Sequence, residues 1–383
     1  MKASSKTLNS HGIATGSSYG VTVKPDHATN AVNNAMQKAK VNSASSVLLF
    51  LSNGYSLNTS QDAKLAIKAA AKAASTVQVF GCSAVGLLTE ENSFMDGEGA
   101  IAMIFPSDCT LSPANILSSK SFTESDLLLC ISSPENSKIA INHRNQAMIG
   151  AISSNEIGQG DFPIWQGSRL CKDGFFHAGI HTENKSITPH TVISQGVRRL
   201  SKNQRISEAN NNCLLSIDNV PATESIKDAL PDNLYDLFME QPYHTLCASS
   251  ESNNVEGLNQ DFFKLHNVVA INENEESIYL SGKVKTDQHL FWAIRDRGLA
   301  EEEIRHNMLS LAKKIKQPKF AFLFTSISRG PYFFNDEDID LALFQETFPE
   351  VPLIGIYGTG EISSGTHYSA LSRRYSSVLT VFE

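Results

Sequence analysis

The chain has 383 residues, and its 32 Lys and Arg against 40 Asp and Glu give a formal net charge of −8. With 41% hydrophobic and only 19% charged residues, it can bury a sizeable core, which excludes disorder over most of its length. A negative balance without basic runs argues against nucleic acid or an anionic membrane surface as the main partner, and at roughly 150 residues per domain the length predicts two domains.

The start, Met1 to Lys6, has no apolar stretch behind it and does not read as a signal peptide. Gly16-Ser17-Ser18-Tyr19-Gly20 satisfies Gly-x-Ser-x-Gly, but Val21-Thr22-Val23 reads as extended chain. A nucleophile elbow needs strand, turn and helix, so the match is accidental. Ser46 to Ser52 reads as a buried strand ended by Asn53-Gly54, and Gln61 to Ser75 as a helix with Leu65 and Ile67 in the core. Thr76 to Phe80, stopped by Gly81, and Glu98 to Phe105 are further strands.

A β-rich middle follows: Gly174 to His181, Leu214 to Ile217, His266 to Ile271, Ser277 to Val284 and Leu290 to Arg295. Within it, Pro221 to Glu224 opens a helix running to Leu230, which Pro231-Asp232-Asn233 breaks. Leu299 to Ile315 is helical, with Ile304, Met308, Leu311 and Ile315 on one face. Lys319 to Phe324 is an apolar strand, and the acidic residues among Asn335 to Asp338 suit the start of a helix running to about Phe348. Leu353-Ile354 begins a short strand and Tyr375 to Phe382 supplies the last one. Strands alternating with helices predict an α/β (α+β) fold with mixed sheets flanked by helices.

Two stretches repeat one order of elements. Strand, loop, helix and strand lead into Gly81-Cys82-Ser83-Ala84-Val85-Gly86 in one and Gly355-Ile356-Tyr357-Gly358-Thr359-Gly360 in the other. This predicts an internal duplication and two related lobes. The breaker at Pro231 to Asn233 places a boundary between them, giving an N-terminal arm and first strand over 1–30 and domains over 31–232 and 233–383.

Gly358, Gly360 and Glu361 follow a buried strand, where α/β folds place ligand crevices. Glu361 suits an ammonium group and Arg329, beside Gly330, a carboxylate, so together they suit an amino-acid zwitterion. The plain alternative is a structural turn, with the two residues solvated or paired with each other. Cys82 stands at a strand end, where a nucleophile would stand, yet no neighbouring histidine serves as its base and buried packing is the commoner role. The six cysteines show no Cys-x-x-Cys pair, which suits reduced thiols and a cytoplasmic chain. The eleven histidines include no His-Glu-x-x-His. His177 and His181 share a strand face roughly 13 Å apart, too far to ligate one ion together.

Phe322 to Gly330 (FLFTSISRG) and Pro352 to Ile362 (PLIGIYGTGEI) resemble the FIST-C part of the FIST family of sensory proteins, as does the turn Leu215 to Ala222 (LSIDNVPA). Gly81 to Gly86 (GCSAVG) resembles the N-terminal FIST motif, with Leu87 where that motif often has Glu. In the C-terminal motif, Ser326 and Ser328 flank a stretch where a Cys is common. The resemblance implies a FIST domain over 31–232, a FIST-C domain over 233–383, and a cytoplasmic signal-transduction sensor for a small, amino-acid-like ligand. Its implied ligand residues are Gly81, Cys82, Ser83, Arg329, Gly330, Gly358, Gly360 and Glu361. Some bacterial members bind haem, sense nitric oxide and control a histidine kinase; on that reading His177 or His181 would be a single axial ligand. A thiol-dependent enzyme using Cys82 is the rival class.

Overall fold

Ser46–Ser52 is buried at every position because both its faces are covered, Val47, Leu49 and Leu51 in one core and Leu48 and Phe50 in another, while it pairs parallel to Val79–Ala84 and antiparallel to Glu98–Phe105. The helix Ser60–Ala74 lies beside them, but it turns Ala63, Ala66, Ile67, Ala70 and Ala74 inward. Leu65, expected in the core, is 42% exposed. The reason is spacing: the buried set recurs at three and four residues, and position 65 falls off that stripe. In the helix Ile339–Thr347, the side chain of Asp338 caps by accepting from the Leu341 amide, at the acidic helix start expected from the sequence. In the helix Arg297–Lys314, Ile304, Met308 and Leu311 are buried as expected.

The computed structural model describes residues 12–57, 60–114, 127–142, 146–182, 187–250, 263–364 and 370–383. Residues 1–11 of the expected N-terminal arm lie outside the described residues. The fold is α/β, with four sheets among the described residues. The chain forms two compact units, one from residues 1–194 and 304–383 and the other from Gln195–Glu303. Both copies of the repeat seen in the sequence belong to the first unit, so the repeat does not coincide with the division into units. A third copy, not foreseen, accompanies them.

Each copy is a six-stranded sheet with one order: outer, return, central, glycine, guest and a short edge strand. In copy one the first five are Ala14–Gly20, Glu98–Phe105, Ser46–Ser52, Val79–Ala84 and Ile164–Gln166. In copy two they are Cys109–Pro113, Phe175–Thr182, Leu128–Ser132, Met148–Ile152 and Gly360–Ser364. In copy three they are Pro189–Ser194, Ser377–Phe382, Phe320–Ser326, Leu353–Gly358 and Gly86–Thr89. The central and glycine strands are parallel in all three, joined across a helix. Every guest is borrowed. The chain leaving the glycine strand of copy one pairs in copy three, that of copy three pairs in copy two, and that of copy two pairs in copy one.

The sheet faces turned away from the helices share one core. Phe50, Phe80, Ile131, Ile149, Phe322 and Ile354 meet there, and the Phe80–Phe176 and Phe105–Phe320 rings, each 5.7 Å apart, join different copies.

The second unit is inserted in the chain after the outer strand of copy three and ends within the helix Arg297–Lys314. Its strands Gln204–Asn210, Cys213–Ile217, Ser277–Leu280, Phe263–Asn272, Thr245–Ser250 and His289–Arg295 pair in that order, and the last pairs back to the first. The ring is a closed antiparallel barrel, which leaves those strands no free edge. Ile206, Leu214, Val268 and Trp292 pack with Ala222, Ile226 and Phe238 from helices Ala222–Ala229 and Asp232–Glu240. Pro231, read as a breaker, caps the second of these helices within the unit.

Candidate functional site

The guest strands occupy equivalent registers. Leu87 of copy three's guest faces Ile356, Ile164 of copy one's guest faces Cys82, and Glu361 of copy two's guest faces Ala151. Each partner stands one residue beyond a glycine, Gly355, Gly81 or Gly150. Leu87 and Ile164 belong to the shared core, as do Cys82, Ala151 and Ile356. Glu361 is 0% exposed at the same place. A carboxylic acid therefore stands where the fold puts an aliphatic side chain twice over.

Glu361 Oε2 accepts hydrogen bonds from Ser376 Oγ at 2.5 Å and Ser376 N at 3.3 Å. Its other oxygen, Oε1, is buried without a partner among the described residues. Burial pushes the carboxyl up to about 8, against the pull of Ser376 and of the positive charges of Arg329 and Arg373. Arg373 lies opposite Glu361 across the sheet and donates through Nε to Ser363 Oγ at 2.7 Å.

Arg329 follows the central strand of copy three and is fully buried. Its fork closes on Asp340, with Nε to Oδ2 at 2.9 Å and Nη2 to Oδ1 at 3.1 Å, and Nη2 also donates to Ser194 Oγ at 3.0 Å. Thr325 Oγ1 donates to the same carboxylate at 3.2 Å. Such a two-pronged pair satisfies charges that burial would otherwise penalise. Arg329 and Glu361 are thus electrostatic neighbours, each with its own buried partner.

The other expected residues fall into two groups. Gly330, Gly358 and Gly360 lie with this cluster and are buried. A Cβ on Gly330 would meet the Tyr357 ring at 2.6 Å, and one on Gly358 would meet the Ile152 carbonyl at 2.6 Å, so close packing explains both. Gly81, Cys82 and Ser83 belong to copy one's glycine strand. Cys82 is wholly buried in the shared core, and burial pushes its thiol far above the ordinary range. A nucleophilic cysteine needs the thiolate, which this environment disfavours. Ser83 is also fully buried, and its Oγ has no partner among the described residues.

His177 is buried, with Nε2 2.8 Å from the Ala140 carbonyl and its ring edge-on to Phe175. That nitrogen is engaged with the backbone. His181 lies half-buried on the same strand, beside Thr110 of the outer strand. Among the described residues no three His, Cys, Asp or Glu side chains group to hold a metal ion.

Sequence reasoning missed Asp340, Arg373 and Ser376. Asp340 sits in the first turn of its helix, where an acidic residue looks like a dipole partner, yet it points inward to Arg329. Arg329 itself was the available signal, since a buried guanidinium requires a carboxylate.

No described helix is long and apolar enough to cross a membrane. No curated protein matches the chain. The FIST C domain matches residues 222–364, a span that holds Arg329, Asp340 and Glu361 and stops short of Arg373. Residues 222–364 are thus similar to the FIST C domain, a sensory domain family, in line with the resemblance read from the sequence.

Proposed function

We propose that the protein is a signal-transduction sensor that captures a small amino-acid-like ligand at Glu361 and reports its occupancy to a signalling protein. The observation that carries this reading is the Glu361 oxygen that lacks a partner among the described residues, placed in a core where two equivalent positions hold Ile164 and Leu87. A buried carboxyl is costly wherever an aliphatic side chain would serve, and such departures from local logic concentrate at functional sites. A ligand ammonium group would give Oε1 its missing donor, while the guanidinium groups of Arg329 and Arg373 supply the field for the ligand's carboxylate. Capture requires the guest strand Gly360–Ser364 and its neighbour Ala370–Arg373 to part, since both charged groups are closed off from solvent. That movement is the event a partner, such as a histidine kinase, would read.

The test is a thermal-shift screen of free amino acids against the intact chain. At least one is expected to raise the melting temperature, and the gain should vanish in Glu361→Gln and shrink in Arg373→Gln. A gain that survives Glu361→Gln removes the site, and no gain with any amino acid removes the ligand class.

A further inference from the structure

The helix-facing side of copy one carries polar groups that the cluster around Glu361 does not explain. Along the central strand Val47, Leu49 and Leu51 face the helices, and Asn53 stands two residues on. On the glycine strand Val79 shares that face, Gly81 and Ser83 follow at the same alternation, and Ser83 is in register with Leu51. The guest strand adds Trp165, in register with Gly81 and packed in the same helix-side core. A Cβ on Gly81 would lie 3.1 Å from Trp165 Nε1, so the absent side chain leaves room for the indole.

Asn53 is 4% exposed, and Ser83 and Trp165 are 0% exposed. Asn53 Nδ2, Ser83 Oγ and Trp165 Nε1 all lack a hydrogen-bond partner among the described residues. Native interiors leave few such groups, and three around one pair of strand ends is a concentration that needs a cause. The contrast within the molecule is direct. Trp292, equally buried, donates its Nε1 to Ser225 Oγ at 3.1 Å. At the position of Ser83, copy two has Ile152, which needs no partner, and copy three has Tyr357, whose hydroxyl donates to Asp338. Only copy one combines a small polar residue here with an indole on its guest strand. The place is also the one where parallel α/β units put ligands, beyond the carboxyl ends of the strands.

We propose that Asn53, Ser83 and Trp165 form a second small-ligand site, for a molecule of zero net charge that presents a carbonyl or carboxylate oxygen. The amide and indole groups are donors and the serine hydroxyl is either donor or acceptor, so the occupant must bring an acceptor. Asn53 Oδ1 takes a bond from Ser56 Oγ at 3.3 Å, which leaves the NH2 end of the amide for the ligand. The net charge follows from the surroundings. The Glu98 carboxylate accepts from Ser52 Oγ at 2.5 Å and lies 2.1 Å from where a Cβ on Gly54 would stand, so it faces the residues on either side of Asn53. Burial, with the carboxylates of Glu98, Asp62 and Asp26, pushes the nearby Tyr55 phenol up to about 12. A bare anion would meet that same negative field, whereas a primary amide or an amino-acid zwitterion would not be repelled. This site shares no residue with Glu361, and its failure leaves the reading of that cluster untouched.

The experiment uses the intact chain with 15N-labelled tryptophan, whose two indole N–H signals are assigned with Trp165→Phe. Acetamide, glycine and acetate are titrated separately. The Trp165 signal is expected to move saturably with acetamide or glycine and far less with acetate. The Trp292 signal should stay fixed and report that the fold is intact. Ser83→Ala and Asn53→Leu should each weaken the response by about tenfold, the loss expected for one buried hydrogen bond to the ligand. Saturation with acetamide points to an amide, and with glycine alone to a zwitterion. The proposal is overturned if no probe gives saturation, if the shift persists unchanged in both variants, or if the Trp165 proton shows a persistent contact with a buried water that no probe displaces.

Discussion

Glu361 makes stability depend on pH in an unusual direction. Its carboxyl is raised to about 8 in the folded chain from an ordinary value of 4.5. Between those limits the folded state holds a proton that the unfolded chain has released. Stability is therefore fully present below the lower value and falls as pH rises through the upper one, by at most about 1.4 kcal/mol per pH unit from this group. Glu361→Gln keeps the shape and removes the titration. Urea midpoints of the wild type, measured from about pH 5 to about pH 8.5, should fall relative to those of the variant. Parallel curves would mean that the carboxyl reaches water. The Arg329–Asp340 pair behaves differently, because removing one partner strands the other charge. Arg329→Met should lose about 3–5 kcal/mol in the same measurement, and adding Asp340→Leu should recover part of it.

At the scale of the strand, three glycines set how closely the central and glycine strands approach. A Cβ on Gly81 would lie 1.7 Å from the Leu49 carbonyl, one on Gly150 1.7 Å from that of Cys130, and one on Gly355 1.8 Å from that of Leu323. These are one position seen three times, and backbone cannot step aside as a flexible side chain can. Alanine at any of them should cost about 3 kcal/mol, at the upper end of overpacking losses, read from denaturant curves. A loss below about 1 kcal/mol would show that the strand pair tolerates separation.

The same strands show what the sequence makes legible. Gly81 and Gly355 are each followed five positions later by glycine, so the two copies were visible together with their flanking strand and helix. Gly150 is followed at that distance by Asn155, and its copy had no matching signal. The apolar runs were legible because continuous burial requires them. The borrowed guests were not, because Glu361 pairs with Ala151 and Leu88 with Gly355 through contacts that leave no local periodicity. Arg329 and Glu361 stood out through the family motif. Asn53 and Trp165 carried no motif, and only their lack of partners among the described residues singles them out.

At the scale of the molecule, the three sheets of the larger unit share one core and are linked in a closed cycle of lent strands. No sheet can come apart without withdrawing a strand from another. Calorimetry should therefore show one cooperative transition for this unit rather than one per sheet, with any further transition due to the barrel. Separate unfolding of one copy, seen as hydrogen exchange confined to its strands, would contradict this.

Tandem duplication ordinarily produces beads that can be cut apart. Here a cut at the 232/233 boundary would leave copy two without Gly360–Ser364, and copy three without both Pro189–Ser194 and Gly86–Thr89. The copies complete one another, so the chain can be divided into structural repeats although its folded unit cannot.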